Sequence, residues 1–315
     1  MGDTPQSDPA KSADAVAPPR RRVSRTLRGL YAVVRLGVLV LVAVVISGAV
    51  FALVRPVEAE REWISFQRYW RVTAASFGIP LPGTPDLADF NGRLTAHGLS
   101  LGTPIFMRIF KREFELELWM MRDGRFHRFA TYPICKWSGG LGPKLREGDR
   151  QAPEGFYTVD QGALNPNSAW HRSFNLGYPN TFDQSHGRTG SFLMVHGGCG
   201  SIGCYAMTDP VIDEIWRIVT AALRGGQARF QVQVFPFRMT ERNLARHEGS
   251  PLAPFWANLK TGYDLFEAGN IPPRVSVCDR KYAFEAGPQG YDGSGLVAAG
   301  CPGARSVAPS SSPSP

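Results

Sequence analysis

Residues 36–54, LGVLVLVAVVISGAVFALV, run for 19 positions without a charge. A helix apolar on every side has no face to offer water, so it must be buried in protein or in lipid. At about 1.5 Å per residue this run just crosses a hydrocarbon core of about 30 Å. Arg20, Arg21, Arg22, Arg25, Arg28 and Arg35 precede it, and the positive flank of a span stays on the cytoplasmic side. The sequence therefore predicts a disordered basic cytoplasmic segment over 1–30 and a transmembrane anchor over 31–55. Everything after it is exported. The competing reading is a cleaved signal peptide. However, the run exceeds the usual apolar region of about 7–15 residues, and Val57-Glu58-Ala59 is a poor cleavage signal, so the helix is read as retained.

The 315 residues are 43% hydrophobic, enough for one sizeable domain with extensions. Half of the net charge of +8 lies in residues 1–35, so the exported part is only mildly basic. Nothing in it calls for nucleic acid. Five cysteines leave at least one unpaired. Cys278 and Cys301 lie close enough in sequence to staple a C-terminal extension. Cys135 and Cys199 pair or stay reduced. Cys204 is the expected free thiol.

Glu58–Phe77 reads as a helix with Trp63, Phe66, Tyr69 and Trp70 in one stripe, and 80–85 as a linker before a short helix over 86–97. Together these make a helical linker region, 56–100. Residues 101–237 then switch to strand patterns. In Glu113–Met121, Phe114, Leu116, Leu118 and Met120 alternate with glutamates. Asp123-Gly124 is a hairpin turn, with 126–134 as the return strand. Strands are also expected over 105–110, 156–159, 191–195 and 230–234. Asp209 is expected to cap a helix that has Pro210 at its first position and buries Ile212, Ile215, Trp216, Val219 and Leu223. The fold class is mainly β with a few helices. Residues 238–302 form an extension with helices near 240–246 and 254–266 and a strand near 275–277. The Ser/Pro/Ala tail 303–315 is expected to be disordered.

The chemistry concentrates in Met194-Val195-His196-Gly197-Gly198-Cys199-Gly200-Ser201-Ile202-Gly203-Cys204-Tyr205. A thiol with a free pKa of about 8.5 needs a base beside it to act as a nucleophile near neutrality. His196 is that base and Cys204 the nucleophile. The glycines allow sharp turns and close approach of a carbonyl to backbone N–H groups. Those of Gly203 and Tyr205 are the candidate oxyanion donors. Cys199 competes with Cys204 for the nucleophile's role, and Ser201 reads as a hydrogen-bonding loop residue that borders the substrate. Among candidate substrate-binding residues, Arg188 suits a carboxylate, with His186, Tyr178 and Asn180 lining a groove. His186, His196, Cys199 and Cys204 lack paired metal-ligand spacing, so no metal or other cofactor is expected.

This run resembles the catalytic domain of the L,D-transpeptidases of YkuD type, and within them the YafK-like branch. So do Ser138-Gly139-Gly140-Leu141-Gly142-Pro143-Lys144-Leu145, Glu147-Gly148-Asp149, Ala152-Pro153-Glu154-Gly155-Phe156-Tyr157, Gly177-Tyr178-Pro179-Asn180 and Gly187-Arg188-Thr189-Gly190, all in the family's order. The resemblance implies a β-sandwich or barrel catalytic domain in the periplasm, tethered to the cytoplasmic (inner) membrane by one helix. It implies that the Gly197 carbonyl orients His196. It also implies action on peptidoglycan stem peptides at a diaminopimelate carbonyl through a Cys204 thioester, in cell-wall biogenesis or remodelling. Most of the wider family carries His two residues before the Cys and Arg two after it; here Ile202 and Ala206 stand there. Hydrolysis of the same linkage is therefore the alternative to transfer, including release of a wall-linked outer-membrane protein. A non-catalytic wall-binding module is a third reading, against which the presence of both His196 and Cys204 argues.

Overall fold

The computed structural model describes residues 25–303, together with Gly2. Arg20–Arg22, the segment 1–19 and the tail from 304 lie outside the described residues. The chain divides into two units between Arg55 and Pro56. In the first, α1 (Arg25–Val54) is one helix of 30 residues. Its stretch Gly29–Val54 is long and apolar enough to cross a membrane, and none of it is buried in protein. A run of exposed leucines and valines of this length is consistent with a single membrane span.

The second unit opens with α2 (Pro56–Ser76). Its aromatic stripe faces the opposite way from a packing stripe: Trp63, Phe66 and Tyr69 are exposed, whereas Glu60, Ile64 and Arg71 are buried. Charges can occupy the inner face because the domain supplies partners. Arg71 donates to the Ile134 carbonyl at 3.3 Å, and Glu60 meets His247 at 2.6 Å. The following helix, α3 (Phe90–Ala96), starts later than its sequence suggests. Asp86 ties its carboxylate to the Ala88 N–H in a turn, and Asp89 supplies the cap.

Strands β1 (Ile105–Phe110), β2 (Glu115–Arg122) and β3 (Arg125–Pro133) form the expected meander. With β5 (Gly155–Asp160) and β10 (Arg229–Phe235) they make a five-stranded sheet in the order β3-β2-β1-β10-β5, parallel only between β1 and β10. A second five-stranded sheet runs β4-β9-β8-β7-β6. Its strands are β4 (Lys136–Trp137), β6 (Leu164–Ser168), β7 (His171–Asn175), β8 (Met194–His196) and β9 (Tyr205–Ala206). The short helix α4 (Thr181–Ser185) lies between β7 and β8 in sequence. Helix α5 (Asp209–Arg224) buries Ile212, Ile215, Ile218 and Val219 in one core with residues of both sheets. Its N-cap is Thr208 and not Asp209, because the Asp209 carboxylate accepts instead from the Gly198 N–H at 2.7 Å.

Beyond 237 the chain continues as α6 (Glu241–Arg246), α7 (Ala253–Gly269) and a small sheet of β11 (Arg274–Cys278), β12 (Lys281–Glu285) and β13 (Ala298–Ala299). Trp256, Leu259 and Tyr282 share a second apolar cluster with Phe110, Phe156 and Phe235. This segment is therefore packed onto the first sheet. The Cys278–Cys301 disulfide closes it.

Candidate active site

The second sheet places His196 and Cys204. Strand β8 ends at His196 and pairs in parallel with β9, with Val195 opposite Tyr205 and His196 opposite Ala206. The crossover 197–204 returns the chain so that Cys204 enters β9 beside Met194. The Met194 N–H donates to Cys204 Sγ at 3.4 Å, and the thiol itself reaches the Phe192 carbonyl at 3.6 Å. Among the described residues no hydrogen bond joins the thiol to His196.

The crossover is closed by four restraints. Cys199 is disulfide-bonded to Cys135, so one of the two open outcomes for that pair is realised, and Cys204 is the free cysteine. The Met207 N–H donates to the His196 carbonyl at 2.7 Å. Asp209 holds the Gly198 N–H. Ser201 Oγ donates to the Cys204 carbonyl at 2.7 Å and accepts from the Gly203 N–H at 3.3 Å. A Cβ at Gly200 would stand 2.7 Å from the half-exposed Trp170 ring, which would have to shift to admit it. Gly203 has a φ of +131°, which only glycine takes readily.

His196 is buried, and its Nδ1–H donates to the Gly197 carbonyl at 2.5 Å. In the neutral ring this leaves the lone pair on Nε2. The Trp170 indole lies 5.8 Å from the imidazole, centroid to centroid. Burial pushes the His196 pKa down, against the Gly197 carbonyl that raises it. Burial likewise pushes the Cys204 thiol up, opposed by the Met194 N–H and the charge of Lys144. Both shifts favour a neutral thiol beside a neutral imidazole at rest, and disfavour a standing thiolate–imidazolium pair.

The other sequence candidates fall into two groups. Ser201, Gly203 and Tyr205 sit at the thiol. The Gly203 N–H is already engaged by Ser201, and Tyr205 lies in β9 with its hydroxyl on the Pro153 carbonyl at 2.6 Å. Tyr178, Asn180, His186 and Arg188 belong to a supporting network. Asn180 caps α4 and donates to the Phe156 carbonyl at 2.7 Å. Arg188 pairs with buried Asp183 at 2.8 Å. The Tyr178 hydroxyl donates to the Lys144 carbonyl at 3.2 Å, and His186 bonds the Arg280 carbonyl at 2.8 Å. Their polar groups are thus spent within the protein.

Sequence reasoning missed the charge pairs that hold the loop opposite the thiol. The 138–154 loop is pinned from below by a fully buried pair, Lys111 Nζ to Glu154 at 2.9 Å. Glu154 also accepts from the Gly142 N–H at 2.7 Å and from the Trp256 indole at 2.9 Å. Further along, Lys144 meets Asp149 at 2.6 Å, and Asp149 accepts from the Leu145, Arg146 and Gln151 N–H groups. Burial pushes the Asp149 carboxyl up, but these partners outweigh it and hold it at about 2. A cavity of about 350 Å³ lies between this loop and Cys204, with Phe192 and Ile202 on its rim, 70% and 77% exposed. Lys144, Glu147 and Arg150 are visible in the sequence, but nothing local says that they line a cavity with a cysteine more than 50 positions away. Cys199 is bonded to Cys135 and offers no thiolate to a metal.

Comparison with known proteins gives concordant findings. Residues 113–251 match the L,D-transpeptidase catalytic domain, YkuD. The chain is 48% identical over 182 residues to YafK of Escherichia coli strain K12, a provisionally designated L,D-transpeptidase; the match covers 58% of this chain and 74% of that protein. YafK of Escherichia coli O157:H7 matches to the same extent. Among solved structures, the helical cell shape determining protein Pgp2 from Campylobacter jejuni is 20% identical with a TM-score of 0.35, covering 57% of this chain and 67% of that one. Bdellovibrio bacteriovorus Bd1075 is 19% identical with a TM-score of 0.32, covering 52% and 60% respectively. At such scores the structural likeness carries no argument about this chain.

Proposed function

From the premise that this chain belongs to the L,D-transpeptidase family of YkuD type, we propose that it is a membrane-anchored cysteine acyltransferase working on peptidoglycan stem peptides outside the cytoplasmic membrane. The observation that carries the reading is the pairing of β8 with β9. It sets the one free cysteine in the strand next to a buried histidine whose Nδ1–H is fixed by the Gly197 carbonyl.

In this mechanism Nε2 of His196 takes the Cys204 proton as the sulfur attacks a diaminopimelate carbonyl carbon. The tetrahedral intermediate collapses to a thioester, and the proton passes from His196 to the departing amine. An incoming amine then attacks the thioester, His196 accepts its proton, and the thiol is restored when that proton returns to sulfur. The Gly203 N–H serves the oxyanion only if substrate displaces its bond to Ser201 Oγ, so Tyr205 and Gly203 together are the donors to test. The N-terminal helix α1 supports a single-pass anchor, with Arg25, Arg28 and Arg35 on the cytoplasmic side.

A second reading, hydrolysis of the same thioester, is favoured by the open rim of the cavity, because Phe192 and Ile202 leave the thiol within reach of water. Release of a wall-linked outer-membrane protein belongs to this reading. The test incubates the full chain in detergent with purified disaccharide-tetrapeptide, with and without an excess of diaminopimelate-containing acceptor, and weighs the products. A dimer that grows with acceptor supports transfer. Trimmed monomer indifferent to acceptor supports hydrolysis, and no turnover with the thiol reduced leaves neither.

A further inference from the structure

The cavity beside Cys204 carries two opposite charges that the fold leaves unpaired. Its lining includes Lys144, Glu147, Arg150, Phe192, Ile202 and Cys204. Lys144 is already matched by Asp149. Glu147 and Arg150 stand on either side of Gly148-Asp149, and neither makes an ion pair with a described residue. Arg150 has a φ of +54°. A non-glycine residue held there is strained by about 1 kcal/mol or more, and such strain tends to persist where the side chain is needed. Asp149 enforces it by gripping the N–H groups of Leu145 and Arg146 on one side and of Gln151 on the other. The loop therefore presents one exposed carboxylate and one exposed guanidinium to a cavity that the exposed apolar side chains of Phe192 and Ile202 also line.

A carboxylate and a guanidinium lining one cavity match a ligand that carries an ammonium and a carboxylate on one carbon. The apolar walls suit a short methylene stem behind that head. We propose that this cavity is a subsite for the zwitterionic amino-acid head of the substrate, with Arg150 taking its carboxylate and Glu147 its ammonium, beside Cys204 Sγ. The proposal rests on the reading of Cys204 as a nucleophile toward diaminopimelate peptides, since the second stereocentre of diaminopimelate carries such a head on three methylenes. The head belongs either to the acyl donor or to the incoming acceptor; in the acceptor its ammonium passes one proton to the Glu147 carboxylate before the nitrogen attacks the thioester.

The test uses the full chain in detergent without reductant, so that Cys204 is the one thiol open to alkylation. The rate of its modification by iodoacetamide is followed by intact mass in the presence of meso-diaminopimelate, of pimelate, which lacks the amines, and of 1,5-diaminopentane, which lacks the carboxylates. Meso-diaminopimelate should slow alkylation at concentrations where the other two do not. Arg150→Gln and Glu147→Gln should each raise the half-protecting concentration by about tenfold or more, the loss of one charge-assisted contact, and Arg150→Lys should recover part of it. Equal protection by all three compounds, none by meso-diaminopimelate, or protection that ignores both substitutions overturns the subsite. Turnover then separates the sources. Amidating the head of the donor, or that of the acceptor, should raise KM in wild-type protein about as much as Arg150→Gln does, with no further rise in that variant. If neither amidation matters, the subsite fails even though the enzyme works. Protection without turnover of any wall peptide would instead keep the subsite and remove the proposed function.

Discussion

Cys199→Ala opens the Cys135–Cys199 disulfide in the middle of the crossover that links His196 to Cys204. The two cysteines are 64 positions apart. The loop-entropy relation assigns such a cross-link about 4 kcal/mol, arising mainly from the unfolded chain. The substitution adds little backbone cost of its own. Cys199 already has a φ of +50°, and alanine suffers the same steric penalty there as cysteine. Urea unfolding of the detergent-solubilised full chain, followed by tryptophan fluorescence, should therefore lose up to about 4 kcal/mol. Cys135→Ala removes the same link from its other end and should match it within about 1 kcal/mol. The double variant should lose no more than either single one, because the cross-link disappears only once. The Cys278–Cys301 link spans 23 positions, so its loss should cost nearer 3 kcal/mol by the same relation. Reactivity should part company with stability. Met207, Asp209 and Ser201 still hold the crossover, so Cys204 should remain alkylatable and a substantial part of the turnover should survive in folded Cys199→Ala protein. Additive losses in the double variant, or a single loss below 1 kcal/mol, would refute the entropic argument. Complete loss of Cys204 reactivity with the fold intact would show that the disulfide, and not the hydrogen bonds, sets the crossover.

The remaining predictions concern chemistry and placement. Cys204→Ala should abolish turnover of wall peptides and His196→Ala should lower kcat/KM by orders of magnitude, measured by product mass spectrometry. The rate of Cys204 alkylation should rise with pH to a midpoint above the usual thiol value of about 8.5, since burial raises this thiol; a midpoint below 7 would reveal a standing thiolate–imidazolium pair. Because burial lowers His196, the acid limb of kcat/KM should lie below the usual histidine value of about 6.5, with the base lost as pH falls through it. Gly203→Ala meets a φ of +131° and a Cβ contact of 3.2 Å with Leu193; it should cost about 1–3 kcal/mol in unfolding experiments and most of the turnover. A reporter active only after export, fused beyond residue 303, should give signal; activity of a cytoplasm-only reporter at that junction would overturn the orientation read from the arginines.

How much of this was legible depends on whether a residue's role is local. The alternation of Phe114, Leu116, Leu118 and Met120 announced β2, because all four are buried on one face. The same pattern misassigns Glu117. It is buried too, because Arg108, Arg128 and Arg238 converge on it from three other stretches of chain, and no period along one strand reports neighbours of that kind. In the second sheet the signal catches only β8, expected over 191–195 and found at Met194–His196. β4 and β9 are two residues long, and β6 reads Leu-Asn-Pro-Asn-Ser. Such strands are too short to show a period, although Trp137 and Tyr205 are buried in the main core. Even so, they position the candidate site, since the parallel pairing of β8 with β9 brings Cys204 beside Met194, two residues before His196. His196 and Cys204 could be picked out because the nucleophile, its base and the intervening glycines are contiguous in sequence. The residues facing them could not. Glu147 and Arg150 look like ordinary surface charges until the fold sets their loop across from Cys204. The aromatic stripe of α2 fails for the converse reason. Helical spacing shows that Trp63, Phe66 and Tyr69 share a face, but which face is buried was decided by the partners waiting for Glu60 and Arg71. A buried ion pair and a carbonyl contact fixed the rotation of that helix, and the aromatics took what remained.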